Sequence, residues 1–160
     1  MTKHFPGNYY EFLLDLVKNK SVLFDSPMHG WRHWRTVERN GLYLARFTGA
    51  NPKVISCFSI FHDCMRVNEK IDPKHGPRGA RFALENRRYL DLSDELLKKL
   101  VIACKGHTYG RKSACTTVAT CWDADRLDIV RVGITPKAKY LFSDEAKRIA
   151  DDGDFDVLRQ

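Results

Sequence analysis

Apolar positions recur at helical intervals along almost the whole chain. In "YYEFLLDLVKNK", Tyr9 to Lys20, the residues Phe12, Leu13, Leu16 and Val17 share one face and predict a first helix. A second is predicted from Trp31 to Phe47, with Trp34, Val37, Gly41, Leu44 and Ala45 turned inward. Asn51 as N-cap and Pro52 at the first helical position open a third, "NPKVISCFSIFHD", which carries His62 and Asp63 near its end. "HGPRGARFALENRRYL" predicts a fourth, since Pro77 is tolerated only in a first turn. Ser93, followed by Asp94 and Glu95, caps the fifth, "SDELLKKLVIAC", which Gly106 is expected to end. A sixth covers about Ala114 to Asp128, and Ser143 with Asp144 and Glu145 starts a short last one. Strand-like alternation is almost absent, and "LDIVRVGI" is the stretch that passes for a strand.

The pattern predicts an all-α protein of about six to seven helices. With no internal repeat, low-complexity run or linker, residues 1–160 read as a single compact domain with a short acidic helix or tail from residue 143. A chain of this length buries a core without disulfides or a structural metal, so a metal is free to serve chemistry. The five cysteines form no C-x-x-C pair and read as small buried hydrophobes, with Cys57 and Cys64 as the alternative soft ligands beside His62 and Asp63. No apolar run approaches the length of a membrane span, and "MTKHFPGNYYEF" lacks the apolar core of a secretory signal, so a cytoplasmic location is the expectation.

Charge narrows the partners. The net charge is +7, and from Asp144 onward six acids face three bases, which leaves +10 on the body. Such a body suits nucleic acid or smaller phosphorylated ligands. Arg32, Arg35, Arg39 and Arg46 on the second helix are the nearest thing to a basic stripe, but no groove-reading motif accompanies them, which favours the smaller ligand. Trp31, Trp34 and Tyr43 read as core residues, with an oligomer interface as the other use.

The apolar face of the third helix contains Ile55, Phe58 and His62, which turns that imidazole toward the core, while Asp63 follows Ser56 and Ser59 along the edge. A capping pair or a salt bridge to Arg66 would explain the doublet alone. His29 and His33 lie four apart on the second helix, and His33 continues through Val37 to Leu44 at the border of the buried stripe. Asp125 follows Val118 and Cys121 on an inward stripe of the sixth helix, Asp128 shares its face and Asp123 falls off it. Carboxylates turned toward an apolar interior require a metal ion or a guanidinium. Together His33, His62, Asp63 and Asp125 offer two nitrogens and two oxygens, a set suited to Mn, Fe, Co, Ni, Zn or Mg rather than to soft metals.

This ordered set, a histidine on one helix, "FHD" at the end of the next and "DADRLD" downstream, resembles the HD-domain superfamily of metal-dependent phosphohydrolases from about Met28 to Asp128. The resemblance implies a compact helical HD domain and assigns the metal to His33, His62, Asp63 and Asp125, with His33 preferred to His29 because "HWRTV" matches the family's pattern after the ligand. Relatives that hold a second ion use two histidines between the doublet and the last aspartate. His75 and His107 fall there; their other uses are substrate contact or, for either, proton donation to a leaving oxygen. The implied activity is hydrolysis of a small phosphate ester or anhydride, most plausibly of a nucleotide, in which a divalent ion lowers the pKa of water and Asp63 orients it or takes its proton. Arg66, Lys105, Arg111 and Lys112 are the candidate phosphate-binding residues. The alternatives are a non-catalytic nucleotide-binding sensor module and an oxygenase with paired irons.

Overall fold

The computed structural model describes residues 8–160; the very start of the chain, read above as lacking a secretory signal, lies outside the described residues. Caps set most of the helix boundaries. Asn8 accepts the backbone N–H of Tyr10 and opens α1 (Tyr9–Lys18). The second helix, α2 (Trp31–Thr48), ends at Gly49, whose φ of 71° is left-handed and therefore suits glycine. Asn51 accepts from Lys53 and Val54 at the start of α3 (Pro52–Phe61). Then come α4 (His75–Glu85), α5 (Asp94–Gly106) capped by Ser93, α6 (Thr116–Leu127) and α7 (Asp144–Asp152) capped by Ser143. The described residues thus form seven α-helices joined by short 3-10 turns, with no strand.

The apolar third helix is the hub. Val54, Ile55, Phe58, Ile60 and Phe61 are fully buried, and α3 packs against α1, α2, α4, α5 and α6. Leu13, Trp34, Leu100 and Val118 bring the surrounding helices into the same core. Two glycines set how closely helices approach. A Cβ on Gly41 would run into the Ile55 side chain, and one on Gly79 would strike the carbonyl of Phe61, the residue before His62. A smaller second cluster, including Leu44, Leu127, Leu141 and Ile149, seats α7 against α2 and α6. No helix among the described residues is long and apolar enough to cross a membrane.

Several boundaries differ from expectation. The buried face of α1 is Tyr10, Leu13, Leu14 and Val17, with Phe12 and Leu16 at its edge, because the helix turns its i, i+3, i+4, i+7 set inward. α4 ends at Glu85, and Arg87–Tyr89 form a separate 3-10 turn. α5 does end at Gly106, but not through a left-handed glycine; His107 continues in the right-handed region, and the missing side chain of Gly106 makes room for the Trp122 indole. α6 starts at Thr116 rather than Ala114. The stretch "LDIVRVGI" is no strand: Asp128–Val132 form a 3-10 turn closed by Gly133 at φ 77°. With no strand beside it to pair with, its alternation had nothing to bond. Trp34 is fully buried, whereas Trp31 and Tyr43 are half-buried.

Candidate metal centre

His33 reaches the site from the first turn of α2, His62 is the C-cap of α3, and Asp63 sits in the turn just beyond it. Asp125 comes from the last turn of α6, His75 from the first residue of α4 and His107 from the C-cap of α5. Helix ends from five elements therefore converge. Nε2 of His33 lies 3.2 Å from Nε2 of His62, and the two are 3.3 and 3.4 Å from Oδ1 of Asp125. Asp63 faces two ways. Its Oδ2 is 3.6 Å from Nε2 of His33 and 3.8 Å from Nε2 of His62, while its Oδ1 is 3.1 Å from Nε2 of His75 and 3.6 Å from Nε2 of His107. Nε2 of His75 and of His107 are 2.8 Å apart.

The opposite ring nitrogens decide what this cluster is. Nδ1 of His62 donates to the Phe58 carbonyl at 3.0 Å, Nδ1 of His107 to the Cys104 carbonyl at 2.8 Å, and Nδ1 of His75 to the Asp72 carbonyl. Nδ1 of His33 donates to Oδ2 of Asp128 at 2.6 Å. A carbonyl or carboxylate oxygen only accepts, so each Nδ1 carries a proton, and in a neutral imidazole each Nε2 is then a bare lone pair. Four such lone pairs and two carboxylates crowd together, and the donors that reach them are Arg66 Nε, 3.3 Å from Oδ1 of Asp63, and the Thr108 hydroxyl beside Nε2 of His75 and His107. One guanidinium at Asp63 does not balance that arrangement, and further positive charge makes it tolerable, either extra protons on the imidazoles or metal cations.

Protons alone leave their mark on the pKa values. Burial opposes the charged form of His33, but its hydrogen bonds to Asp125 and Asp128 prevail and push its pKa up to about 9. Burial likewise opposes ionisation of Asp63 and Asp125, yet charge on His62, with hydrogen bonds from the neighbouring imidazoles, holds both carboxyls well below the usual range. Neutral imidazole nitrogens oriented by a second partner, with carboxylates between them, are also the donor set of a divalent transition metal. The residues fit such an ion: donor atoms of His33, His62 and Asp125 lie close enough together to hold one, those of His62, Asp63 and His107 form a second such group, and His75 adjoins it 3.1 Å from Oδ1 of Asp63. Asp125 keeps 18% of its side chain exposed while the four imidazoles are at most 4% exposed, so access is past Asp125.

Among solved structures, the chain is similar to a predicted HD superfamily hydrolase from an uncultured Thermotogales bacterium, with a TM-score of 0.70 at 22% identity over 93% of this chain and 87% of that one. The fold is an HD-domain fold. No family model matches the chain, and no curated protein matches it in sequence.

Around the centre of this HD-domain fold the other expected residues separate. His29 lies outside the cluster, where its Nδ1 bonds Glu69, which also accepts from Ser26. Cys57 and Cys64 are buried and contribute nothing to the donor set; burial pushes the Cys57 thiol up to about 12. Arg66 is occupied, since its Nε donates to Asp63 at 3.3 Å and its Nη1 to the carbonyls of Asn68 and Lys70 at 3.2 and 3.1 Å. Lys105 projects from α5 and is exposed, whereas Arg111 and Lys112 line a groove that begins at Thr108. Thr108 borders the cluster itself, with Oγ1 3.4 and 3.3 Å from Nε2 of His75 and His107.

Three contributors, Asp128, Arg131 and Thr108, had no assigned role in the sequence. Asp128 fixes the orientation of His33, and Arg131 pins Asp128 by donating to its carbonyl at 3.0 Å and to the Met28 carbonyl at 2.7 Å. The available signal was the position of Asp128, one turn beyond Asp125 on the same face. Thr108 carried no signal, because a threonine after a helix is an ordinary loop residue.

Proposed function

We propose that this chain is a metal-dependent phosphohydrolase that cleaves a small phosphate ester or anhydride, most plausibly of a nucleotide. The observation that carries the reading is the convergence of four imidazole Nε2 atoms on Asp63 and Asp125 with every Nδ1 already committed to an acceptor. His33, His62, Asp63 and Asp125 would hold one ion, and His75 and His107 with the far oxygen of Asp63 a second. A divalent ion there supplies Lewis acidity, which makes water a nucleophile near neutral pH and offsets charge developing on phosphoryl oxygens.

The chain supplies the rest. Asp63, held between Arg66 and the imidazoles, orients the attacking water or accepts its proton. Asp128 and the helix-end carbonyls keep each imidazole in the tautomer that presents Nε2. With one ion bound, the imidazolium form of His75 or His107, which carries a second proton on Nε2, is the group nearest Asp63 that can protonate a leaving oxygen, and the Thr108 hydroxyl can orient it. Arg111 and Lys112 are placed to meet phosphate from the groove side, and a cytoplasmic location belongs to the same reading.

Release of phosphate or pyrophosphate from nucleotides and simple phosphate esters, with Mn, Co, Ni or Mg and a chelated control, tests the proposal. Metal-dependent turnover of some members is expected, and silence across the panel from protein that holds metal overturns it. Because Asp63 faces two pairs of imidazoles, the same site would also suit paired irons. Stoichiometric iron together with oxygen consumption in place of phosphate release would favour the oxygenase.

A further inference from the structure

A groove of about 690 Å³ opens beside the metal centre. One wall is the segment 108–112 after α5, and the other is the segment 134–141 that leads toward α7. Arg126, next to Asp125 on α6, ties the walls together by donating through Nη1 to the Tyr140 carbonyl at 3.0 Å and through Nη2 to the Gly110 carbonyl. Groove and centre are contiguous, because Thr108 lines the one and stands 3.3 Å from the His107 Nε2 of the other.

The lining has an unusual balance. Arg111, Lys112, Lys137 and Lys139 project into it from both walls, and no aspartate or glutamate lines it. Among the described residues none of these four lies within ion-pair distance of a carboxylate, whereas Arg78, Arg148 and Lys53 elsewhere are each paired. Uncompensated positive charge in a concave space concentrates anions. Between the cations stand Tyr109, Tyr140 and Ile134, which are 65%, 52% and 53% exposed, and Lys139 rests 4.9 Å over the Tyr140 ring. Inorganic phosphate would leave these apolar faces in water, and an apolar ligand would bury the cations unpaired. A molecule with an anionic chain and a flat ring satisfies both.

We infer that this groove binds a nucleotide carrying more than one phosphate, with its base against Tyr140 and Ile134 and its phosphate chain along Arg111, Lys112, Lys137 and Lys139 toward Thr108. The inference draws on the hydrolase reading for the fate of the bound nucleotide, but binding in the groove requires no metal. Four cations on two walls exceed what a single phosphate engages, so the length of the phosphate chain governs affinity.

The test is equilibrium binding of mant-ATP to the full chain in EDTA, competed by ATP, AMP, adenosine and a uridine hexanucleotide. ATP is expected to compete at least about tenfold better than AMP, and K137A/K139A to weaken ATP by about tenfold or more, each lost charge-assisted contact being worth that scale. K20A/K98A, which removes two exposed lysines outside the groove, is expected to leave ATP affinity unchanged. Absence of saturable binding, equal competition by AMP and ATP, or an equal loss in both double variants overturns the proposal. So does stronger competition by the hexanucleotide than by ATP, which points to RNA. A failure of phosphate release with metal, alongside the expected binding pattern, removes the hydrolase reading and leaves the groove assignment standing.

Discussion

Two aspartates on α6, two residues apart, show how the same side chain takes opposite roles. Asp123 is fully buried and meets donors: the backbone N–H groups of Phe142 and Ser143, at 2.7 and 2.8 Å. It thereby anchors the start of α7 and the second core cluster. Asp125 meets only imidazole nitrogens that carry lone pairs when neutral. Burial raises the pKa of Asp123 despite its donors, a modest cost for a structural anchor. Burial and charge alone therefore do not distinguish an anchor from a ligand; the sign of the neighbouring groups does.

The largest effect that separates the two is expected from Asp125→Ala. Bound divalent metal is lost and metal-dependent turnover falls by at least about a thousandfold, the scale of several kcal/mol of Lewis-acid stabilisation. Far-UV circular dichroism should keep its helical signal, and a variant that retains metal and rate removes Asp125 from the site. Chelation comes next. Metal at about a hundred times its Kd stabilises by about 3 kcal/mol, which for a chain of this size is roughly 5–10 °C in Tm. Calorimetry with and without EDTA reads this shift in the native chain and in Asp123→Asn, and finds none in Asp125→Ala.

Asp128→Asn sharpens the contrast by acting through His33 rather than on the ion. Metal affinity is expected to fall about 10- to 100-fold, as for other partners that orient a ligand. Competition against a chromophoric chelator measures it, and an unchanged affinity shows that His33 holds its orientation without that bond. The smallest change is expected for Asp123→Asn, which turns an amide N–H toward a backbone donor. Stability drops by about 1–3 kcal/mol with metal stoichiometry intact. Loss of metal in this variant, with Asp125→Ala retaining it, would reverse the assignment of the two residues.

The order of the helices was legible because caps and apolar spacing act locally. Asn51, Pro52, Ser93 and Ser143 mark helix starts by hydrogen bonds that close within a few residues. What lacked a local signal was less legible. Leu127 to Ile134 could pass for a strand by its alternation, yet within it Asp128–Val132 form a 3-10 turn, and the buried face of α1 is displaced by part of a turn from the one its spacing suggests. Of the candidate residues, the histidines and aspartates of the candidate metal centre carried a readable pattern, because imidazoles and carboxylates at the borders of apolar stripes are conspicuous. The basic residues did not. Arg66, Lys105, Arg111 and Lys112 look alike in sequence, but one is held by Asp63 and loop carbonyls, one projects from α5, and two line the groove.

By itself the sequence determined the helices, the all-α class and a short set of residues able to hold a metal, since each depends on the chemistry of nearby positions. Only the tertiary structure decided that Asp63 faces two imidazole pairs, that Asp128 orients His33, and that residues 108–112 and 134–141 form one basic groove. These depend on helix ends and loops distant along the chain meeting at set angles, and such angles are fixed by packing around α3, where glycines such as Gly79 set how near one backbone comes to the next.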